Sequence, residues 1–83
     1  MPYTTYIIYS SKIDRYYIGS CEDIISMLRI HNQGRNKSTK KGVPWELKYT
    51  EKYNTRSEAQ SREMLIKRKK SRNYILSLIR SVG

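Results

Sequence analysis

Residues 3–19 read Tyr-Thr-Thr-Tyr-Ile-Ile-Tyr-Ser-Ser-Lys-Ile-Asp-Arg-Tyr-Tyr-Ile-Gly. The first eight are nearly all β-branched or aromatic, which suits a pleated, half-buried surface, so 3–10 predicts a strand. Tyr16-Tyr17-Ile18-Gly19 predicts a second strand, ended by Gly19. The five residues Ser11–Arg15 between them are short and mostly polar, the pattern of a hairpin connection. A hairpin places Tyr6 and Tyr17 on neighbouring strands, where two phenols can reach one surface.

Working outward, Ser20 with Asp23 three residues later predicts a capping box at the start of a helix. Ile24, Met27, Leu28 and His31 follow at i, i+3, i+4 and i+7, one face of that helix. Gly34 is placed to cap its C-terminus. Residues 35–44 are basic and rich in breakers, hence a loop. From Trp45 to Tyr53 the chain alternates. Trp45, Leu47, Tyr49 and Tyr53 fall on one side and Glu46, Lys48, Thr50 and Lys52 on the other, with Glu51 interrupting the apolar side. Thr55-Arg56-Ser57-Glu58 is a full capping box that opens a helix running to about Lys70, and Ser71 can cap a third carrying Tyr74, Ile75, Leu78 and Ile79. The order β-β-α-β-α-α predicts an α+β domain, a three-stranded antiparallel sheet flanked by helices. With 83 residues the chain suffices for one domain, 1–83.

Formal net charge is +10, and it is concentrated in one half. Residues 1–34 carry three basic side chains and three acidic ones. Residues 35–72 carry thirteen basic and four acidic. Such an excess suits a polyanion, most commonly nucleic acid. Arg35, Lys37, Lys40 and Lys41 in the loop, with Lys67, Arg68, Lys69, Lys70 and Arg72 near the second helix junction, are candidate phosphate contacts. Any one of them alone reads as a solvated surface charge. No stretch has the ~20 apolar residues of a membrane span, and no basic amphipathic helix suggests a membrane surface. One cysteine, Cys21, excludes an internal disulfide, and no Cys/His cluster has zinc spacing. With no secretory signal at the N-terminus, a reduced, cytoplasmic protein is expected.

Glu63 stands out by position. On the second helix it shares a stripe with Ala59 and Ile66, and a carboxylate on an inward stripe is costly unless paired or metal-bound. A nearby lysine or arginine would satisfy it as an ion pair. His31, on the inward face of the first helix, reads either as a packed core histidine or as a site residue. Tyr6 and Tyr17 read equally as strand aromatics filling a small sheet.

Tyr6, Tyr17-Ile18-Gly19, His31-Asn32 before Gly34, Ser57-Glu58-Ala59 and Arg62-Glu63, taken in this order, resemble the GIY-YIG nuclease family. The likeness is to its small stand-alone members and to the N-terminal nuclease domain of an excinuclease, and it covers roughly residues 3–80. The resemblance implies an endonuclease that hydrolyses DNA phosphodiester bonds with a divalent cation, Mg2+ or Mn2+. It implies that Tyr6 and Tyr17 flank the scissile phosphate, that His31 contributes by phosphate contact or proton transfer, and that Glu63 is the lone carboxylate ligand of the metal. DNA is the implied partner, RNA is left open, and a protein partner could supply specificity. One position departs from the pattern. The family usually has an arginine eight residues after the motif glycine, and here that residue is Met27. A thioether cannot replace a guanidinium's forked donors, and Met27 also completes an apolar stripe with Ile24 and Leu28. That substitution raises a competing expectation: a non-catalytic nucleic-acid-binding module that keeps the nuclease fold.

Overall fold

The computed structural model of the protein describes residues 2–82. Strand β1 (Tyr3–Ser10) is followed by β2 (Arg15–Cys21), α1 (Ile24–Asn32), a single 3-10 turn (Lys40–Gly42), β3 (Glu46–Tyr53), α2 (Arg56–Lys69) and α3 (Arg72–Val82). The sheet order is β2-β1-β3, with both pairings antiparallel. This is the expected α+β architecture in the expected element order.

The central strand β1 sorts its residues to two faces by simple alternation. Tyr6 and Ile8 pack with Met27 of α1 and Trp45, joined by Tyr17, Ile24 and Leu28 at the margin. Ile7 on the opposite face packs with Ile18 and with Ile66 of α2, and Tyr49, Tyr74 and Ile75 surround them. Thus α1 covers one face, and α2 and α3 cover the other. Ile7 and Ile8 are both fully buried, which is possible only because the sheet has a layer on each side.

Two local readings are corrected. Gly19 does not end the second strand. Pairing with β1 continues to Thr4 opposite Cys21, because Ser20 and Cys21 still find backbone partners on β1. Ser20 therefore cannot cap α1. The cap is Asp23, whose carboxylate accepts from the backbone N–H groups of Ile25 and Ser26 at 3.0 and 3.2 Å. Gly34 follows α1 at φ 75°, the left-handed position expected of a terminating glycine.

The second correction concerns β3. A register irregularity falls where Ile7 and Ile8 of β1 face Tyr49 and Leu47, so Lys48 is an extra residue in the ladder. The bulge flips the face read by the later residues. Trp45 packs on the α1 side, whereas Tyr49 joins the Ile7 cluster on the α2 side. Leu47 is left 38% exposed. Glu51 falls on the half-buried side with Tyr49 and Tyr53, as the alternation places it.

That placement makes Glu51 the centre of a clamp between sheet and helix. Arg62 of α2 donates to it through Nε (2.8 Å) and Nη2 (3.1 Å), and the hydroxyls of Tyr49 and Tyr53 donate as well. Burial alone would push the Glu51 carboxyl up, but the hydrogen bonds from Arg62, Tyr49 and Tyr53 outweigh it and hold it below the usual carboxylate range. Burial and the bond to Glu51 push both tyrosine hydroxyls up to about 12. A carboxyl depressed in the folded state contributes stability above its unfolded pKa of about 4.3, and loses it as pH falls through the lower folded value. Arg62→Met leaves Glu51 without its cation in a site where the two side chains are only 17% and 20% exposed. Urea titration should show a loss of about 2–3 kcal/mol at neutral pH, shrinking as the pH is lowered below about 4.3 and the now unpaired carboxylate takes up a proton.

Candidate nuclease site

Three of the four candidate site residues lie on the α1 side of the sheet. Tyr6 pairs with Gly19 and Tyr17 with Ile8 across the β1–β2 ladder, so the two phenols are diagonal neighbours on one face. Gly19 is needed there, because a Cβ in its place would stand 2.6 Å from Cζ of Tyr6. The motif glycine is thus an opening for the first tyrosine. His31 on the last turn of α1 completes the group, with its ring centroid 5.3 Å from that of Tyr17.

His31 is held at both nitrogens. Nε2 lies 3.3 Å from the Tyr6 hydroxyl and Nδ1 lies 2.8 Å from the Thr39 hydroxyl. Thr39 is itself fixed, since its carbonyl accepts from Nε1 of Trp45 at 2.8 Å. Asn32 ties the same loop down, donating to the carbonyl of Trp45 (3.1 Å) and accepting from its N–H (2.6 Å). Burial lowers the His31 pKa, which keeps the ring neutral at pH 7. A neutral ring that donates Nδ1–H to Thr39 and accepts the Tyr6 O–H at Nε2 satisfies all three groups. The Tyr6 phenol is pushed far above its ordinary value, first by burial and then by Tyr17, Cys21 and Glu63. Tyr6 is therefore a neutral hydroxyl, not a standing phenolate. His31 and Met27 both line an open cavity of about 350 Å³ beside the start of α1, together with Cys21, Asp23 and Asn36. Tyr17 is half-buried at the margin of the same cluster.

Glu63 comes from the other layer. On α2 it stands between Ala59 and Ile66, both fully buried, as the stripe predicts. Its carboxylate reaches the edge strand, where the Ser20 hydroxyl donates to Oε1 at 2.8 Å. Lys67 donates to Oε2 at 2.6 Å. The lysine leans around the strand edge, with Nζ 6.0 Å from the ring centroid of Tyr17. Glu63 thus adjoins the tyrosine–histidine group across β2.

Metal fit follows from the donor chemistry. Among the described residues no three His, Cys, Asp or Glu side chains stand together. A single carboxylate, 20% exposed, suits an ion that keeps most of its waters and draws further oxygen ligands from a phosphate substrate. That is the habit of magnesium. Glu63 fits it, with Ser20 orienting the carboxylate.

Met27 is 8% exposed and packs on Tyr6, Ile8 and Trp45. Arg29, two residues on, is exposed. The nine candidate phosphate contacts are all exposed. They differ in freedom. Arg72 is held by Asp14 at 2.5 Å and lies over the Tyr16 ring, and Lys69 lies over Tyr74. Lys67, Lys70 and Arg72 share with Arg15 a cavity of about 380 Å³ between β2, α2 and α3. Sequence reading misses Arg15, the positioning residues Thr39 and Ser20, and the Glu51–Arg62 clamp. Thr39 and Ser20 carry no signal of their own; only the fold brings them to His31 and Glu63.

Two proteins of Streptococcus pneumoniae, both named "UPF0213 protein", from serotype 4 strain TIGR4 and from strain R6, are 43% identical to the chain over 56 residues. The match covers 66% of this chain and 57% of each relative, so the chain spans little more than half the length of these relatives. No solved structure matches significantly. Among the described residues no helix is long and apolar enough to cross a membrane. The family profile described as the GIY-YIG catalytic domain matches residues 2–75, nearly the whole chain. The chain belongs to the GIY-YIG catalytic-domain family and has its nuclease-type fold.

Proposed function

We propose that the protein is a divalent-metal-dependent endonuclease that hydrolyses DNA phosphodiester bonds. What supports this is a neutral Tyr6–His31 hydrogen-bonded pair on one face of the sheet and, on the other side of strand β2, a lone carboxylate, Glu63, that fits magnesium. When bound there, the ion would supply positive charge to the phosphate oxygens. Tyr17, half-buried at the edge of the cluster, orients the attacking water. The water's proton passes to the Tyr6 hydroxyl oxygen as the Tyr6 proton passes to Nε2 of the neutral His31, whose Nδ1–H stays on Thr39. The exposed cations Arg35, Lys37, Lys40, Lys41, Arg68, Lys69 and Lys70 hold the DNA backbone by sequence-independent attraction.

A second reading, a binding module without turnover, is favoured by one observation. Met27 puts an apolar side chain where the family resemblance leads one to expect a guanidinium. The test is plasmid and branched DNA incubated with Mg2+ or Mn2+ and either the natural protein or Met27→Arg. Because Met27 lines the open cavity, the introduced guanidinium can reach solvent, at a cost of about 1–3 kcal/mol in packing. We expect metal-dependent cutting by the natural protein and about 10²-fold faster cutting by the variant. Salt-sensitive DNA binding with no cutting by either protein would establish the module instead.

A further inference from the structure

Glu63 already has a cation. Lys67, one turn along α2, places Nζ 2.6 Å from Oε2, at the carboxylate edge left free by Ser20 on Oε1. A divalent ion and an ammonium cannot both take that edge, since both would seek the same lone pairs and repel each other. The lysine is not locked in place. Its side chain is 48% exposed, against 20% for Glu63, and the Tyr17 ring centroid lies 6.0 Å from Nζ. It also lines the cationic cavity with Arg15, Lys70 and Arg72. An ammonium leaving Glu63 has the Tyr17 ring at hand, whereas that cavity is already lined by three cations that repel it. Meanwhile Met27 provides no positive charge on the other side of the tyrosine cluster.

We propose that Lys67 is an exchangeable second cation of the site: it neutralises Glu63 until a divalent ion displaces it, and is then released to contact the substrate phosphate beside Tyr17. This rests on the reading of Glu63 as a metal ligand. Lys67 then differs from the surrounding basic residues, because its contribution to DNA binding depends on the metal. An ordinary surface lysine such as Lys40 contributes with or without metal.

Two binding measurements test this without reference to turnover. Mn2+ binding is followed by electron paramagnetic resonance for the natural protein, Lys67→Met and Glu63→Gln. Affinity for a duplex oligonucleotide is followed by fluorescence anisotropy, with Ca2+ or with EDTA, for the natural protein, Lys67→Met and Lys40→Met. Removing a partly exposed competing ion pair should tighten Mn2+ binding by about fivefold in Lys67→Met, while Glu63→Gln loses it. With Ca2+, Lys67→Met should bind DNA about fivefold more weakly than the natural protein, and with EDTA the loss should be distinctly smaller, since there the lysine is held on Glu63 rather than on phosphate; Lys40→Met should lose the same factor in both. Equal Mn2+ affinity of the natural protein and Lys67→Met, or a DNA-binding loss in Lys67→Met that is the same in Ca2+ and EDTA, would overturn the exchange while leaving Glu63 as a metal ligand. Mn2+ binding unchanged by Glu63→Gln, or absent from all three proteins, would overturn the metal reading and the exchange together.

Discussion

If Glu63 holds the metal as proposed, Glu63→Gln should abolish DNA cleavage, a loss of about 10³-fold or more, because it removes the one charged ligand the proposal gives the ion. The fold should survive. The amide oxygen can still accept from Ser20, and the contact it loses, to Lys67, is to a half-exposed side chain. Surface-type ion pairs contribute about 1 kcal/mol at most, so urea denaturation of the variant should be nearly superimposable on that of the natural protein. The combination matters. Lost cleavage with unchanged stability assigns Glu63 to the chemistry; lost cleavage with a collapse in stability would show that the carboxylate serves to join α2 to β2.

His31→Gln is expected to have the next largest effect, lowering cleavage by about 10²–10⁴-fold. Glutamine is chosen because its amide can offer a donor to Thr39 and an acceptor to Tyr6, keeping the loop and Trp45 in place. It cannot take a proton. The natural protein should also show an acid limb in its rate. Burial lowers the His31 pKa, so the neutral, proton-accepting form persists at neutral pH and is lost only below the ordinary histidine value of about 6.5. The acid limb should therefore lie below about pH 6.5 and be absent from the residual rate of His31→Gln. An unchanged pH profile in the variant would take His31 out of proton transfer and leave it a packing residue of α1.

Much of this arrangement is legible in the chain itself, and the exceptions have identifiable causes. The hairpin, the face of α1 bearing Met27 and His31, the capping box at Thr55 and the inward position of Glu63 all follow from periodicity and end signals. Local pattern misplaces the start of α1 because Ser20 and Asp23 are spaced as a capping box, which makes Ser20 the cap and Asp23 only its partner. What decides between them is strand pairing with Thr4 and Thr5, a long-range contact that no local pattern contains. Alternation misassigns the side of β3 because a bulge at Lys48 breaks it, and no glycine or proline marks that bulge. Glu51, a blemish in that strand by pattern, is instead its anchor to α2 through Arg62. At the site, residue types are readable but partnerships are not. Glu63 is legible as either a metal ligand or half of an ion pair. The structure places Lys67 against it, so the ion pair is present in a site that also fits a metal.

Everything proposed for the site depends on what Glu63 holds. The most direct test is a crystal structure of the natural protein grown with Mn2+, with anomalous scattering recorded at a wavelength selective for manganese. The expected result is a single strong peak within coordination distance of a Glu63 carboxylate oxygen, with Lys67 Nζ moved away from Oε2. Manganese bound elsewhere on the protein, with the Glu63–Lys67 pair intact, would contradict it.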